Sequence, residues 1–400
     1  MVRFPASELG GLTPRAFLER YWQKQPLLVR GAVPDIGVSL SADALLALAC
    51  EPGVISRMIA APGDDASWTL RRGPFEPMDF EALPDHGWTL LIQQVDRHVE
   101  SCAALLERFR FVPNWRVDDV MVSYATDGGG VGPHIDRYDV FLIQAQGRRR
   151  WRIGSAPLED ERLVPGVELP VLAEFEHDRE WVLEPGDALY LPPRIAHEGV
   201  AVGECVTCSV GFRVPDPREL CAGFLRQLAP RVFDAIRYSD PGLEPPEQPG
   251  EIPASARRQL RESAQRLFAG EDFDDWVGRF LTQPLRGAGP RVGERCETVA
   301  QLRERLARGE VLRRSAPCHF AWYREGDGTV LLFVGGESYS LGKGRETEAE
   351  LLCGREILDE VALRPLLLRQ GFAEILADLV LRGFLYQALA GNPPDHVITL

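Results

Sequence analysis

His134 and Asp136 stand one residue apart in the segment GPHIDRYD, and His197 follows 61 positions after Asp136 in LYLPPRIAHEG. Along an extended strand successive side chains alternate faces, so His134 and Asp136 point the same way and offer an imidazole nitrogen and a carboxylate to a single ion. His197 completes two nitrogens and one carboxylate on one face of an octahedral metal, with three positions left open. That donor set suits an Fe(II) centre that must take a bidentate 2-oxo acid and dioxygen together. Such a cosubstrate also needs a cation for its far carboxylate. Arg149, 13 residues past Asp136, supplies a planar fork for it, on a strand expected to return after a turn at Gly147. Arg148 and Arg150 then face the opposite side of that strand.

An HxD pair alone is weak evidence, and the conjunction carries the reading: the pair in a β-rich region, a matching arginine, and a distal histidine that follows PGDALYLP. The remaining histidines, His86, His98, His177, His319 and His396, are read as surface or core residues. The run Gly128, Gly129, Gly130 lacks the lysine of a P-loop and the full spacing of a dinucleotide fingerprint, so it is expected to be a permissive loop at the mouth of the site.

The elements that must position these residues are legible nearby. From Val120 to Val214 short runs (VMVSYA, DVFLIQA, RRWRIG, EWVLEPGDALYLP, CVTCSVGF) are separated by glycine and proline, which predicts an antiparallel sandwich or barrel. Upstream, Thr13 is a fitting N-cap, Pro14 suits the first helical position, and Phe17, Tyr21 and Trp22 recur at helical spacing before QPLLVRG turns extended. A second helix is expected near Val99 to Phe109. After Pro215 two helical segments, ELCAGFLRQLAPRVFDAI and ARRQLRESAQRLFAG, flank SDPGLEPPEQPGEIP, whose five prolines argue for a loop or linker. Beyond residue 290 come a helix (TVAQLRERLARG), two strands (CHFAWYR, TVLLFVGG) forming a small hairpin, and two helices through Leu389. That pattern is winged-helix-like and is read as a packing or dimerisation module rather than a DNA reader.

Four hundred residues exceed what one core usually serves, so two or three domains are expected. A composition of 45% hydrophobic and 26% charged residues excludes global disorder and collagen-like repeats. The most apolar stretch, Phe372 to Leu389, carries Glu374, Asp378 and Arg382, which excludes it as a membrane span. The start shows no basic-then-apolar leader, so a cytoplasmic protein is expected. A net charge of -14 favours a basic partner over bare nucleic acid. The eight cysteines are expected to be reduced, and Cys205 and Cys208 to be strand residues without a metal.

The string VDDVMVSYATDGGGVGPHIDRYDVFLIQAQGRRRWRIG, with FLERYWQKQPLLVRGA before it and PGDALYLPPRIAHEG after it, closely resembles the JmjC-type ribosomal oxygenases over residues 10 to 215. The resemblance implies a mixed α and β chain: a double-stranded β-helix (cupin/JmjC) catalytic domain at 1–215, a helical dimerisation domain at 216–289 and a winged-helix-like domain at 290–400. It implies Fe(II), 2-oxoglutarate and O2, with His134, Asp136 and His197 on iron and Arg149 on the distal carboxylate. Ser123 is expected to add a hydrogen bond to that carboxylate, with Thr207 and Ser209 as weaker candidates. Asp127 is assigned to a substrate guanidinium. Arginine at 149, where histidine-hydroxylating relatives usually carry lysine, resembles the bacterial branch, which hydroxylates the β-carbon of an arginine in the sixteenth large-subunit ribosomal protein. A homodimer acting on a basic ribosomal protein is therefore expected, without membrane or direct nucleic-acid binding. The alternatives are a JmjC histidine hydroxylase or demethylase of another basic protein, and a metal-binding cupin regulator without oxygenase activity.

Overall fold

In a computed structural model the described residues are 9–33, 36, 40–60, 68–232, 254–269, 271–284, 298–315, 318–355 and 357–389. The proline-rich segment 239–253 lies outside them. The chain divides at residue 214 into two compact units, the second running to residue 390.

The first unit is built on one antiparallel sheet. Its strands are β1 (Leu27–Val29), β2 (Ser56–Ala60), β3 (Thr69–Arg72), β4 (Trp88–Ile92), β5 (Val117–Ala125), β6 (Asp139–Pro157), β7 (Arg179–Leu183), β8 (Ala188–Leu191) and β9 (Ile195–Phe212). They run in the order β1-β8-β6-β9-β5-β4-β2-β3, with β7 also on β6. The long β6 and β9 pair along most of their length, which gives a cupin-like jelly roll. Helices α1 (Pro14–Arg20), α2 (Ala42–Cys50), α3 (Met78–Glu81) and α4 (Glu100–Glu107) accompany it. Thr13 Oγ accepts the Ala16 N–H at 3.3 Å and Pro14 opens α1, because a side-chain acceptor and a residue without an N–H both suit a helix start. The helix then drops Phe17, fully buried, onto Tyr190 and Phe141 at ring separations of 4.9 and 5.2 Å.

DVFLIQA and RRWRIG are one strand, not two. Gly147 lies within β6 as a bulge, and the expected turn and return do not occur. Its φ is +63° and an added Cβ would lie 2.0 Å from the Glu204 carbonyl oxygen, while the pairing with β9 shifts register on either side of Gln146. The irregularity around Gln146 and Gly147 changes which side chains face inward. Even-numbered Val140 and Leu142 before it share a buried cluster with odd-numbered Trp151 and Ile153 after it.

In the second unit α5 (Pro217–Val232) and α7 (Glu271–Thr282) pack through Phe224 and Trp276. Helix α6 (Ala254–Leu267) leaves Leu260 53% exposed. Helix α8 (Val299–Ala307) precedes β10 (Glu310–Arg314), β11 (Phe320–Arg324), β12 (Thr329–Val334) and β13 (Glu337–Lys343); then come α9 (Glu346–Gly354), β14 (Ile357–Leu358), α10 (Glu360–Leu363), α11 (Phe372–Leu381) and β15 (Leu385–Leu389). The expected hairpin is a three-stranded meander, β11-β12-β13. The expected last helix stops at Leu381, and Leu385–Leu389 pairs with β10 as a strand. Gly383, at φ +74°, breaks the helix there. No helix among the described residues is long and apolar enough to cross a membrane.

Candidate metal and cosubstrate site

His134, Asp136 and His197 each present a ligand atom, and these atoms lie within 4.8 Å of one another. His134 and Asp136 do not sit in a regular strand, as the alternation argument assumed. They lie in the segment just before β6, where His134 forms an isolated antiparallel bridge with His197, the third residue of β9. Directly opposed residues of such a pair share a face, and the two imidazole centroids are 4.3 Å apart. Asp136 Oδ2 is 3.7 Å from His197 Nε2.

Each histidine is held by a backbone oxygen at its other nitrogen: His134 Nδ1 lies 2.9 Å from the Gly132 carbonyl oxygen and His197 Nδ1 2.9 Å from that of Ile195. A carbonyl only accepts, so Nδ1 carries the proton and the Nε2 lone pair is left for a metal, the usual orientation of a ligating imidazole. Burial, with His134 beside it, holds His197 down at about 4, so at neutral pH this ring is uncharged and ready to coordinate.

Asp136 is set by a residue that gave no signal in the sequence. Arg194 takes a left-handed φ of +69° after Pro192 and Pro193, and its N–H donates to the Asp136 carbonyl at 2.7 Å. Its guanidinium donates to the carbonyls of Leu158 and Glu159, fastening the loop after β6 to the same point. Tyr138 also escaped notice. Burial and the adjacent Asp136 push its hydroxyl well up, although 41% of the residue is exposed.

Arg149 faces the interior and is 2% exposed, whereas Arg148 is exposed and Arg150 half-buried. Its guanidinium donates to Ser123 Oγ at 3.1 Å and to the Gly199 carbonyl at 3.1 Å, and it touches the Cys205 thiol. Nε has no hydrogen bond. Burial lowers its pKa from the usual arginine value. Every partner is neutral. A buried cation with no counter-charge among the described residues is costly unless an anion arrives to complete it, and a ligand carboxylate does so.

Ser123, 4% exposed, therefore touches the cation expected to bind the carboxylate. The Thr207 hydroxyl instead donates to Gln144 Oε1 at 3.1 Å, so it is engaged within the protein. Ser209 lies buried on the same face of β9. Asp127 is exposed at the end of β5, and its Oδ1 accepts the Gly203 N–H at 2.7 Å. The glycine loop closes on β9, where Gly130 bridges Val200. Cys205 and Cys208 are buried β9 residues on opposite faces, one beside Arg149 and one beside Cys102.

Residues 104–220 match the model of the JmjC domain. The chain is 36% identical over 363 residues to the ribosomal protein uL16 3-hydroxylase of Escherichia coli, covering 90% of this chain and 92% of that one. It is 38% identical over 213 residues to a probable ribosomal oxygenase of Haemophilus influenzae, covering 53% and 52%. Among solved structures, the ribosomal oxygenase YcfD from Escherichia coli with cobalt and 2-oxoglutarate superposes with a TM-score of 0.80 at 34% identity over 93% of this chain and 97% of that one. An X-ray structure of the same Escherichia coli protein gives 0.83 at 35%, over 94% and 98%.

Proposed function

The chain belongs to the JmjC-type ribosomal oxygenases, and we propose that it is a 2-oxoglutarate- and Fe(II)-dependent hydroxylase of the β-carbon of an arginine in the sixteenth large-subunit ribosomal protein. The observation that carries the cosubstrate half of this reading is Arg149, a buried guanidinium with only neutral partners. Residues His134, Asp136 and His197 fit the metal half, since both histidines keep Nε2 lone pairs and the carboxylate adds a hard donor.

Bound iron, dioxygen and 2-oxoglutarate supply the oxidising power, with succinate and carbon dioxide as the other products. The protein's share is placement. Arg149 and Ser123 fix the distal carboxylate, and Gly199 contributes the carbonyl that fixes Arg149 in turn. Asp127 keeps Oδ2 for a substrate guanidinium at the mouth of the barrel. The acidic chain, at -14, attracts a basic substrate. The reading places the enzyme in the cytoplasm as a homodimer joined through the helical region 216–289, supported by the exposure of Leu260 on α6, with 1–215 as the catalytic domain and 290–400 as a winged-helix-like packing module.

The test is mass spectrometry of ribosomal proteins from cells lacking the gene, complemented with wild type or His134→Ala. A single added oxygen on an arginine of the sixteenth large-subunit protein, present only with the intact ligand, is the expected result. An added oxygen on histidine instead would move the assignment to the histidine hydroxylases.

A further inference from the structure

Trp151 is unused by the reading so far. It sits on the same inward face of β6 as Arg149, two residues on, and is 5% exposed. Its ring centroid is 5.1 Å from the Arg149 guanidinium carbon and 5.9 Å from the centroid of the His197 ring. Opposite it in the ladder stands Gly199, where an added Cβ would lie 2.7 Å from the indole and 2.7 Å from Arg149 Nε. The absence of a side chain at 199 is what lets the indole and the guanidinium occupy one layer.

We infer that Trp151 is a positioning residue that sets the spacing between the cosubstrate's distal carboxylate and the metal, and thereby the chain length of the 2-oxo acid accepted. The inference rests on the cosubstrate reading of Arg149. An aromatic face near a buried cation attracts it electrostatically, and this attraction grows when water is excluded. The guanidinium is thus kept in place before any carboxylate reaches it. The indole is also rigid and packed at both ends, so the clamp and the ligand His197 keep a fixed separation. With that separation fixed, the site would favour the five-carbon 2-oxo dicarboxylate over its six-carbon homologue 2-oxoadipate, which carries one more methylene.

The experiment measures binding of 2-oxoglutarate and 2-oxoadipate by calorimetry to full-length protein loaded with Mn(II), for wild type, Trp151→Phe, Trp151→Leu and Arg149→Ala. Trp151→Leu is expected to weaken 2-oxoglutarate about tenfold and to narrow its advantage over 2-oxoadipate at least about threefold, with Trp151→Phe restoring most of both. Equal weakening of both acids, or 2-oxoglutarate affinity within about twofold of wild type, overturns the inference. Should Trp151→Leu not fold, the emission difference between wild type and Trp151→Phe decides: 2-oxoglutarate must change it, and an unchanged difference overturns the inference. Failure of the underlying reading looks different, since wild type would then bind no 2-oxoglutarate or Arg149→Ala would bind it normally.

Discussion

His134 and His197 exchange both backbone hydrogen bonds, His134 N–H to His197 O at 3.0 Å and His197 N–H to His134 O at 2.9 Å. Two residues proposed as metal ligands and distant in sequence are thus joined at the main chain, and the site's geometry does not depend on an ion to assemble it. Loss of one ligand should therefore empty the site without unfolding the unit. Asp136→Ala is expected to abolish hydroxylation and to weaken Mn(II) binding by more than about 100-fold in calorimetry, with the thermal midpoint nearly unchanged. Full activity with iron supplied would remove the metal assignment.

The clamp is tested separately. Arg149→Ala removes the cation and should raise KM for 2-oxoglutarate by about 100-fold or more, whereas Ser123→Ala removes one hydrogen bond to that cation and should raise it by roughly tenfold or less. Initial rates against 2-oxoglutarate concentration decide both, and an unchanged KM in Arg149→Ala contradicts its role.

Gly199 makes a sharper point about space. Gly199→Ala adds one methyl group that meets Arg149 Nε and the Trp151 ring, each at 2.7 Å. The clamp must shift to admit it, so KM for 2-oxoglutarate is expected to rise about tenfold, because a buried layer rarely takes extra volume without displacing side chains. Wild-type kinetics in this variant would show that the layer yields freely.

Stability should depend on pH through two carboxyls at the other end of β5. Asp96 accepts the Val120 N–H at 2.9 Å and Asp119 accepts the Gln94 N–H at 2.9 Å. Burial raises Asp96 to about 6 and Asp119 to about 7, against an ordinary 3.8. The folded state holds these protons more tightly than the unfolded one, so their contribution is complete below about pH 4 and is lost as pH rises through about 6 to 7. Thermal midpoints should fall between pH 6 and 8 and fall less in Asp119→Asn, which keeps an acceptor for Gln94. A midpoint that rises over this window in wild type would refute the assignment.

The exposed Leu260 on α6 leads to a last expectation. Light scattering across a dilution series should give the mass of a dimer, and Leu260→Arg should shift it toward the monomer while leaving the catalytic unit's metal affinity intact. A monomer at every concentration would exclude the assembly.

The chemistry was more legible than the backbone that delivers it. His134, Asp136, His197 and Arg149 could be singled out because few arrangements of side chains suit a metal with open positions and an anionic cosubstrate. Their setting was harder to read, since Gly147 at positive φ looks the same in sequence whether it turns a strand back or bulges it. The run Phe372–Leu389 is mostly apolar, and its division into α11 and β15 depends on Gly383 and on pairing with β10, which no local pattern encodes. The hydroxyl of Thr207 gives no sign in sequence that Gln144 takes it up. Arg194 sets Asp136 through its main chain, and side-chain chemistry therefore says nothing of that role.

The bulge at Gly147 makes the enzyme sensitive to counting as well as to composition. Inward-facing residues are even-numbered before it and odd-numbered after it. Removing Gly147 would leave strict alternation and keep Arg149 and Trp151 inside, but inserting one residue between Gly147 and Arg148, with the bulge kept, would turn both to the outside and send Arg148 and Arg150 into the barrel. No amino acid of the site would have changed, yet the cosubstrate would meet two arginines in the wrong layer. At this point of the gene an in-frame insertion of one codon is a more severe lesion than most missense changes, and insertion tolerance along β6 should show a sharp minimum there.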